Sequence, residues 1–328
     1  MVAPLTRNSN SIADDAAQVI YQEVLDSVSE ATLHYDENVL RDAVQVPMKL
    51  TTLNEEFVIE EEQDWLDSVK GFHRFMVSMG VNHFIRIAFR AEFLSANYIE
   101  GCHVTYIMRN AEKVVPDYEC RAALTRVDGR WRLNTLETTM ENDRWPVVSP
   151  RVSQSRKAKF QEVIPETDAR RKSTSPMSIY QTYLDRLTLT NLEDDFEGWC
   201  ALCDFPHTVH IDHVDQVIEG PAGIKPFFDM LTEQINLLGI TRIRRHATRA
   251  EFISPTQICG YHTTTLGTED EVKLGPFDCR YILTRVGTRW RMSSVTNTVA
   301  NETFPYDKPE PSDTLITLHE IQKRMRPR

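Results

Sequence analysis

The chain has 328 residues, a formal net charge of −11, 41% apolar residues and 26% charged residues. Such a length implies about two domains of ordinary size, and the composition is that of a folded chain rather than a disordered one. The acid excess excludes a sequence-independent grip on nucleic acid, which needs clustered Lys and Arg, and it argues equally against an anionic membrane surface as partner.

Residues 1–10 carry no apolar run and no cleavage pattern of a secretory signal. No apolar stretch reaches the ~18–20 residues that span a bilayer. The expectation is therefore a cytoplasmic protein whose six cysteines, Cys102, Cys120, Cys200, Cys203, Cys259 and Cys279, stay reduced.

In chain order, Asn10-Ser11 is expected to cap a helix that runs to about His34, with Ala17, Ile20, Val24 and Val28 in its apolar stripe. A shorter helix follows over 37–44, then two short strands over 47–53 and 56–60. A third helix over 62–79 stops at Gly80. Four long strands complete the set, over 81–93, 98–108, 117–127 and 130–139, the last two joined by the hairpin signal Asp128-Gly129. Residues 147–176, rich in Pro and Ser and locally basic, read as a solvated linker.

The order then repeats. A short helix is expected over 192–203, strands over 207–211 and 215–219, and a helix over 221–238 with Pro221 in its first turn and Gly239 as its stop. Strands over 240–252, 257–266, 276–286 and 289–298 follow, and after them a tail that reads as a short helix with a basic end. The residues themselves repeat at a constant offset. Tyr21-Gln22 falls on Tyr180-Gln181, Arg90-Ala91-Glu92-Phe93 on Arg249-Ala250-Glu251-Phe252, and Gly101 and His103 on Gly260 and His262. Leu124-Thr125-Arg126-Val127 likewise falls on Leu283-Thr284-Arg285-Val286. A period this long fits a duplicated domain, not a solenoid unit. The expected organisation is a first domain over 10–146, a linker over 147–176, a second domain over 177–305 and a tail over 306–328. Helices followed by antiparallel strands make each copy α+β, with helices on one face of a curved sheet.

This order, ending in Leu-Thr-Arg-Val-Asp-Gly-Arg-Trp-Arg-Leu, resembles the nuclear transport factor 2-like superfamily, and within it the SnoaL-like group. The second copy is also similar to small subunits of ring-hydroxylating dioxygenases. The resemblance implies two tandem cone-shaped domains, each with a mainly antiparallel sheet enclosing a pocket for a small hydrophobic organic ligand. It also implies an intrachain pseudo-dimer, with further oligomerisation left open. It does not fix a function, because the superfamily includes isomerases, dehydratases, cyclases, hydrolases and adaptors that catalyse nothing.

His103 and His262 are the candidate catalytic residues. Period-2 alternation places each on a mostly apolar strand face, where an imidazole is either a general acid or base or a hydrogen-bonded core residue. Tyr106, Arg121, Tyr261 and Arg280 are the candidate substrate-binding residues that would orient a polar group beside them. Arg90 with Glu92 and Arg249 with Glu251 read as ion pairs between the domains, on a face shared with Arg86 and Arg245 that points away from the pocket. Cys200, Cys203, His207, His210 and His213 have metal-ligand chemistry, but their spacing is too compact for a usual zinc finger and the first copy has no counterparts, so no metal is expected. No cofactor is expected either, since the glycines form neither a dinucleotide fingerprint nor a P-loop. Two functions remain: cofactor-independent acid–base chemistry on a hydrophobic metabolite, or a binding or assembly module without catalysis.

Overall fold

A computed structural model describes residues 9–53, 55–141, 156–157, 173–211 and 214–297. The chain divides into two compact units, one up to Ser175 and one from Pro176 onward, with Ile253–Pro255 grouped with the first. The expected tail over 306–328 and most of the expected linker lie outside the described residues.

The first unit comprises α1 (Ser9–His34), α2 (Glu37–Asp42), β1 (Val44–Thr51), β2 (Glu55–Ile59), α3 (Glu62–Ser78), β3 (His83–Ser95), β4 (Tyr98–Arg109), β5 (Glu112–Lys113), β6 (Tyr118–Val127), β7 (Arg130–Thr138) and β8 (Arg156–Lys157). Helix α1 already contains Asn10 and Ser11, so the expected cap lies inside the helix. A true cap stands at Asp36, whose carboxylate accepts from the amides of Asn38 and Val39 and so satisfies two orphan donors of α2. Gly80 closes α3 at φ +69°, and Asp128 and Gly129, at φ +50° and +80°, form the tight turn that an Asp-Gly pair favours because both tolerate positive φ.

The sheet order is β3-β4-β6-β7-β1-β2-β8, with β5 on β4. Strand β1 runs parallel to β7, so the sheet is mixed, while β3, β4, β6 and β7 pair antiparallel. One sheet face, with Leu50, Phe84, Ile107 and Leu124, packs against Tyr21 and Leu25 of α1 and Trp65 and Phe72 of α3 in a single core. The short strand β8 extends β2 within the stretch that reads as a linker.

The second unit repeats the plan with α4 (Pro176–Leu192), α5 (Phe196–Ala201), β9 (Cys203–Ile211), β10 (Val214–Ile218), α6 (Pro221–Leu237), β11 (Arg242–Ser254), β12 (Gln257–Gly267), β13 (Val272–Val286) and β14 (Arg289–Asn297). Its sheet order is β10-β9-β14-β13-β12-β11, again with one parallel pair, β14 and β9. Asp195 caps α5 through the amide of Gly198, and Gly239 ends α6 at φ +58°. Both units are α+β, as the element order of the sequence implies. The strands carrying the two histidines differ: β4 is buried on both faces from Gly101 to Met108, whereas β12 alternates buried and part-exposed residues from Gln257 to Leu266.

Candidate functional site

The repeated residues form one three-part contact in each unit. In the first, the Tyr21 hydroxyl lies 3.0 Å from the Gly101 carbonyl and 2.8 Å from His103 Nδ1. In the second, Tyr180 lies 2.9 Å from the Gly260 carbonyl and 2.8 Å from His262 Nδ1. A tyrosine has one proton, so the consistent assignment has the hydroxyl donating to the carbonyl and accepting from Nδ1–H. That leaves Nε2 of both histidines as a buried acceptor without a hydrogen bond. The glycines are needed for the approach: a Cβ would stand 2.7 Å from the Tyr21 ring at Gly101 and 2.3 Å from the Tyr180 ring at Gly260.

Both imidazoles are neutral. Burial first, and the nearby charge of Arg86 second, push His103 well below its ordinary value. Burial and then Arg245 lower His262 to about 3. Their exposures are 0% and 1%, so each sits within packed side chains.

The neighbouring glutamine does a second job. Gln22 donates to the Arg86 carbonyl at 2.8 Å and accepts from the Ala88 amide at 2.8 Å, and Gln181 repeats this with Arg245 and Ala247 at 2.9 and 2.8 Å. These strands, β3 and β11, are sheet edges with unpaired backbone groups, which the glutamine amide satisfies. A bulge follows at once: Ala88 opposes His103 but Arg90 opposes Cys102, leaving Phe89 unpaired. The extra residue reverses the facing of the strand. Ala88 and Ala91 therefore both join the helix-side core, and Arg86, two residues before Ala88, shares that side. This corrects the reading of Arg86 and Arg245 as residues pointing away from the pocket. Arg90 and Arg249 instead pair with Glu92 and Glu251 on their own strands, at 2.6 and 2.8 Å.

The structure does not bring the candidate substrate-binding residues to the histidines. Tyr106 is three residues from His103 and Tyr261 adjoins His262, so alternation sends both to the opposite sheet face. Tyr106 there contacts Thr174 at 3.1 Å, and Tyr261 is 38% exposed. Arg121 opposes Cys102 across β6 and β4 and pairs with Glu137 at 2.5 Å. Arg280 likewise opposes Tyr261 and donates to Thr296 at 3.0 Å. The metal-type residues also diverge. The Cys203 thiol donates to the Trp199 carbonyl, His207 Nδ1 donates to the Met292 carbonyl at 3.0 Å, and His210 pairs with Asp215 at 2.7 Å. His213 lies outside the described residues. Burial raises the Cys102 thiol to about 12 and raises Cys120, Cys200, Cys203 and Cys279, so these remain protonated.

A pocket was expected in each copy, but not its lining: a cavity of about 110 Å³ lies between the helices and the sheet of the second unit. Apolar side chains including Leu187, Ile224, Leu231 and Val295 form most of its wall. Its polar lining includes Asn191, His207, Arg245 and Tyr281. Arg245 donates to Thr188 and to Asn191 Oδ1, each at 2.9 Å, which leaves its Nε and the Asn191 Nδ2 without partners. Tyr281 meets the His262 ring at 4.5 Å between centroids; Tyr281, and not His262, lines the cavity.

At the corresponding places of the first unit stand Trp65 for Ile224, Phe72 for Leu231, Met48 for His207 and Thr32 for Asn191, all buried. The exchange is not one-sided, since Leu40 and Ala122 replace the larger Trp199 and Tyr281. The cavity thus comes from the arrangement of bulk rather than its total.

No protein-family model and no curated protein matches the chain. Solved structures do. A nuclear-transport-factor-2-like protein of unknown function from Shewanella oneidensis MR-1 is 7% identical, with 38% of this chain and 100% of that chain covered and a TM-score of 0.30. Another such protein, from Pseudomonas putida KT2440, is 12% identical over 40% of this chain and 89% of that chain, with a TM-score of 0.30. Aln2 from a Streptomyces species is 19% identical over 36% of this chain and 86% of that chain, also with a TM-score of 0.30. Among the described residues no helix is long and apolar enough to cross a membrane.

Proposed function

We propose that the chain is a tandem pair of SnoaL-like repeats, residues 10–146 and 177–305, in which the second repeat binds one small, largely apolar molecule. The observation carrying this reading is the cavity of about 110 Å³ in the second unit, at positions that Trp65 and Phe72 occupy in the first. An apolar cavity of ~150 Å³ in another protein takes benzene, so the smaller space here suits a molecule no larger than a single ring. Apolar walls with a few convergent polar groups are the usual make-up of a small-molecule site.

His103 and His262 have a structural role in this reading. Each is spent on its tyrosine, is neutral and lies off the cavity lining. Acid–base chemistry by these two residues therefore gives way to binding as the preferred function.

The test is a titration with benzene followed by amide chemical shifts. Saturation at one equivalent, with shifts confined to the second unit and lost in Ile224→Trp, is the expected result. Shifts of equal size in the first unit, or binding unchanged in Ile224→Trp, would sink the reading.

A further inference from the structure

The two polar ends of the cavity are chemically opposite. At one end, Asn191 is 2% exposed and gives its oxygen to Arg245, so its amide protons have no acceptor. Arg245 adds an unpartnered Nε–H and a positive charge, and among the described residues no carboxylate pairs with it. Donors and a cation lining a mostly apolar space call for an anion, and a carboxylate is the group whose geometry a guanidinium matches.

At the other end stands His207, 1% exposed. Its Nδ1–H donates to the Met292 carbonyl, which fixes the tautomer and leaves Nε2 as a bare acceptor. Burial lowers its pKa, so the ring is neutral and cannot serve as a second cationic contact. A neutral imidazole with a free lone pair calls for a hydrogen-bond donor.

Strand order separates the two ends. Arg245 lies on the edge strand β11 and His207 on β9, with β12, β13 and β14 between them. Thr264, Tyr281 and Val295 of those three strands line the space. Both polar ends are lost together in the first unit, where Thr32 already bonds the Val28 carbonyl and Met48 has no nitrogen. Only Arg86 is kept.

We infer that the ligand of the second unit is a small hydroxy-carboxylic acid with a short apolar body, its carboxylate on Arg245 and Asn191 and its distal hydroxyl donating to His207 Nε2. This rests on the ligand-binding reading above. A purely apolar guest would leave all three side chains unpaired.

Calorimetry of the full chain with three probes tests it: 4-hydroxybutanoate, its isosteric primary amide, and butanoate. The acid is expected to bind about tenfold or more tighter than the amide, and severalfold tighter than the probe without hydroxyl. His207→Met, which copies the first unit, should erase only the hydroxyl preference. Arg245→Gln should erase only the preference for acid over amide. Equal affinity of acid and amide for the unaltered chain overturns the inference, whether or not Arg245→Gln folds. If the amide binds and Ile224→Trp abolishes that binding, the pocket reading survives such a result. If no probe binds at all, both fail.

Discussion

In the first unit Trp65 and Phe72 project from α3 into the core, whereas Ile224 and Leu231 stand at the same places on α6 beside a cavity of about 110 Å³. Around that difference the skeleton is unchanged. The tyrosine–glycine–histidine contact repeats to within 0.1 Å, its distances being 3.0 and 2.8 Å in one unit and 2.9 and 2.8 Å in the other. The glutamine clasp on the edge strand repeats as closely. Residues that set the backbone path recur in both copies, as do core residues such as Leu25 and Leu184 or Leu124 and Leu283, while those around the cavity differ. What recurs at the same offset is therefore architecture, and what differs marks the binding site.

Acid should expose the shared histidines first and most strongly. A histidine whose folded pKa is depressed adds no penalty above about 6.5, where both states are neutral. Below that the unfolded chain takes up a proton that the folded chain refuses. Stability then falls by roughly 1.4 kcal/mol per pH unit for each such residue, until the folded pKa is reached. For His262 the window runs from about 6.5 down to about 3. The first unit adds the half-buried His83, whose pKa burial also lowers, whereas the second adds the fully buried His207 where the first has Met48, so hydrogen exchange should show the second opening first as the pH is lowered. His207→Met should narrow the gap between the units; an unchanged gap would mean that burial of this ring is not the cause.

Gly260→Ala should cost the second unit about 2–3 kcal/mol by overpacking against Tyr180. Gly101→Ala should cost less, since the added carbon meets Tyr21 at 2.7 Å rather than 2.3 Å. Urea unfolding of the two variants would reverse that order if the rings move freely. The glutamine clasp has the opposite bias. Gln22 is 3% exposed and Gln181 is only part-buried, so Gln22→Ala should cost about 1–3 kcal/mol and Gln181→Ala less. Smallest and equal in both units are the helix caps, with Asp36→Ala and Asp195→Ala each expected to lose about 1 kcal/mol in thermal unfolding.

Element order was legible in the sequence because it depends on local signals: apolar stripes, the stops at Gly80 and Gly239, and the Asp128-Gly129 turn. Facing was less so. The bulge at Phe89 sits inside an apolar run with no glycine or proline to announce it, so strict alternation put Arg86 on the wrong side. Tyr106 and Arg121 were grouped with His103 by chemistry, although a spacing of three along a strand already separates Tyr106 from it. That Arg121 opposes Cys102 depends on cross-strand register, which hairpin geometry sets at a distance. The lining of the expected pocket was illegible for a related reason. It arises from side chains far apart in the chain, and Asn191, His207 and Arg245 meet there only once the sheet has brought β9 and β11 round a common space.

The most direct measurement is the stoichiometry of 4-hydroxybutanoate binding, read from amide shifts in the unaltered chain and in Ile224→Trp. One equivalent, with shifts on β9, β11 and α4 and no binding in the variant, is the predicted result. Two equivalents with matching shifts in both units, or full binding in Ile224→Trp, would contradict the account of one filled and one hollow repeat.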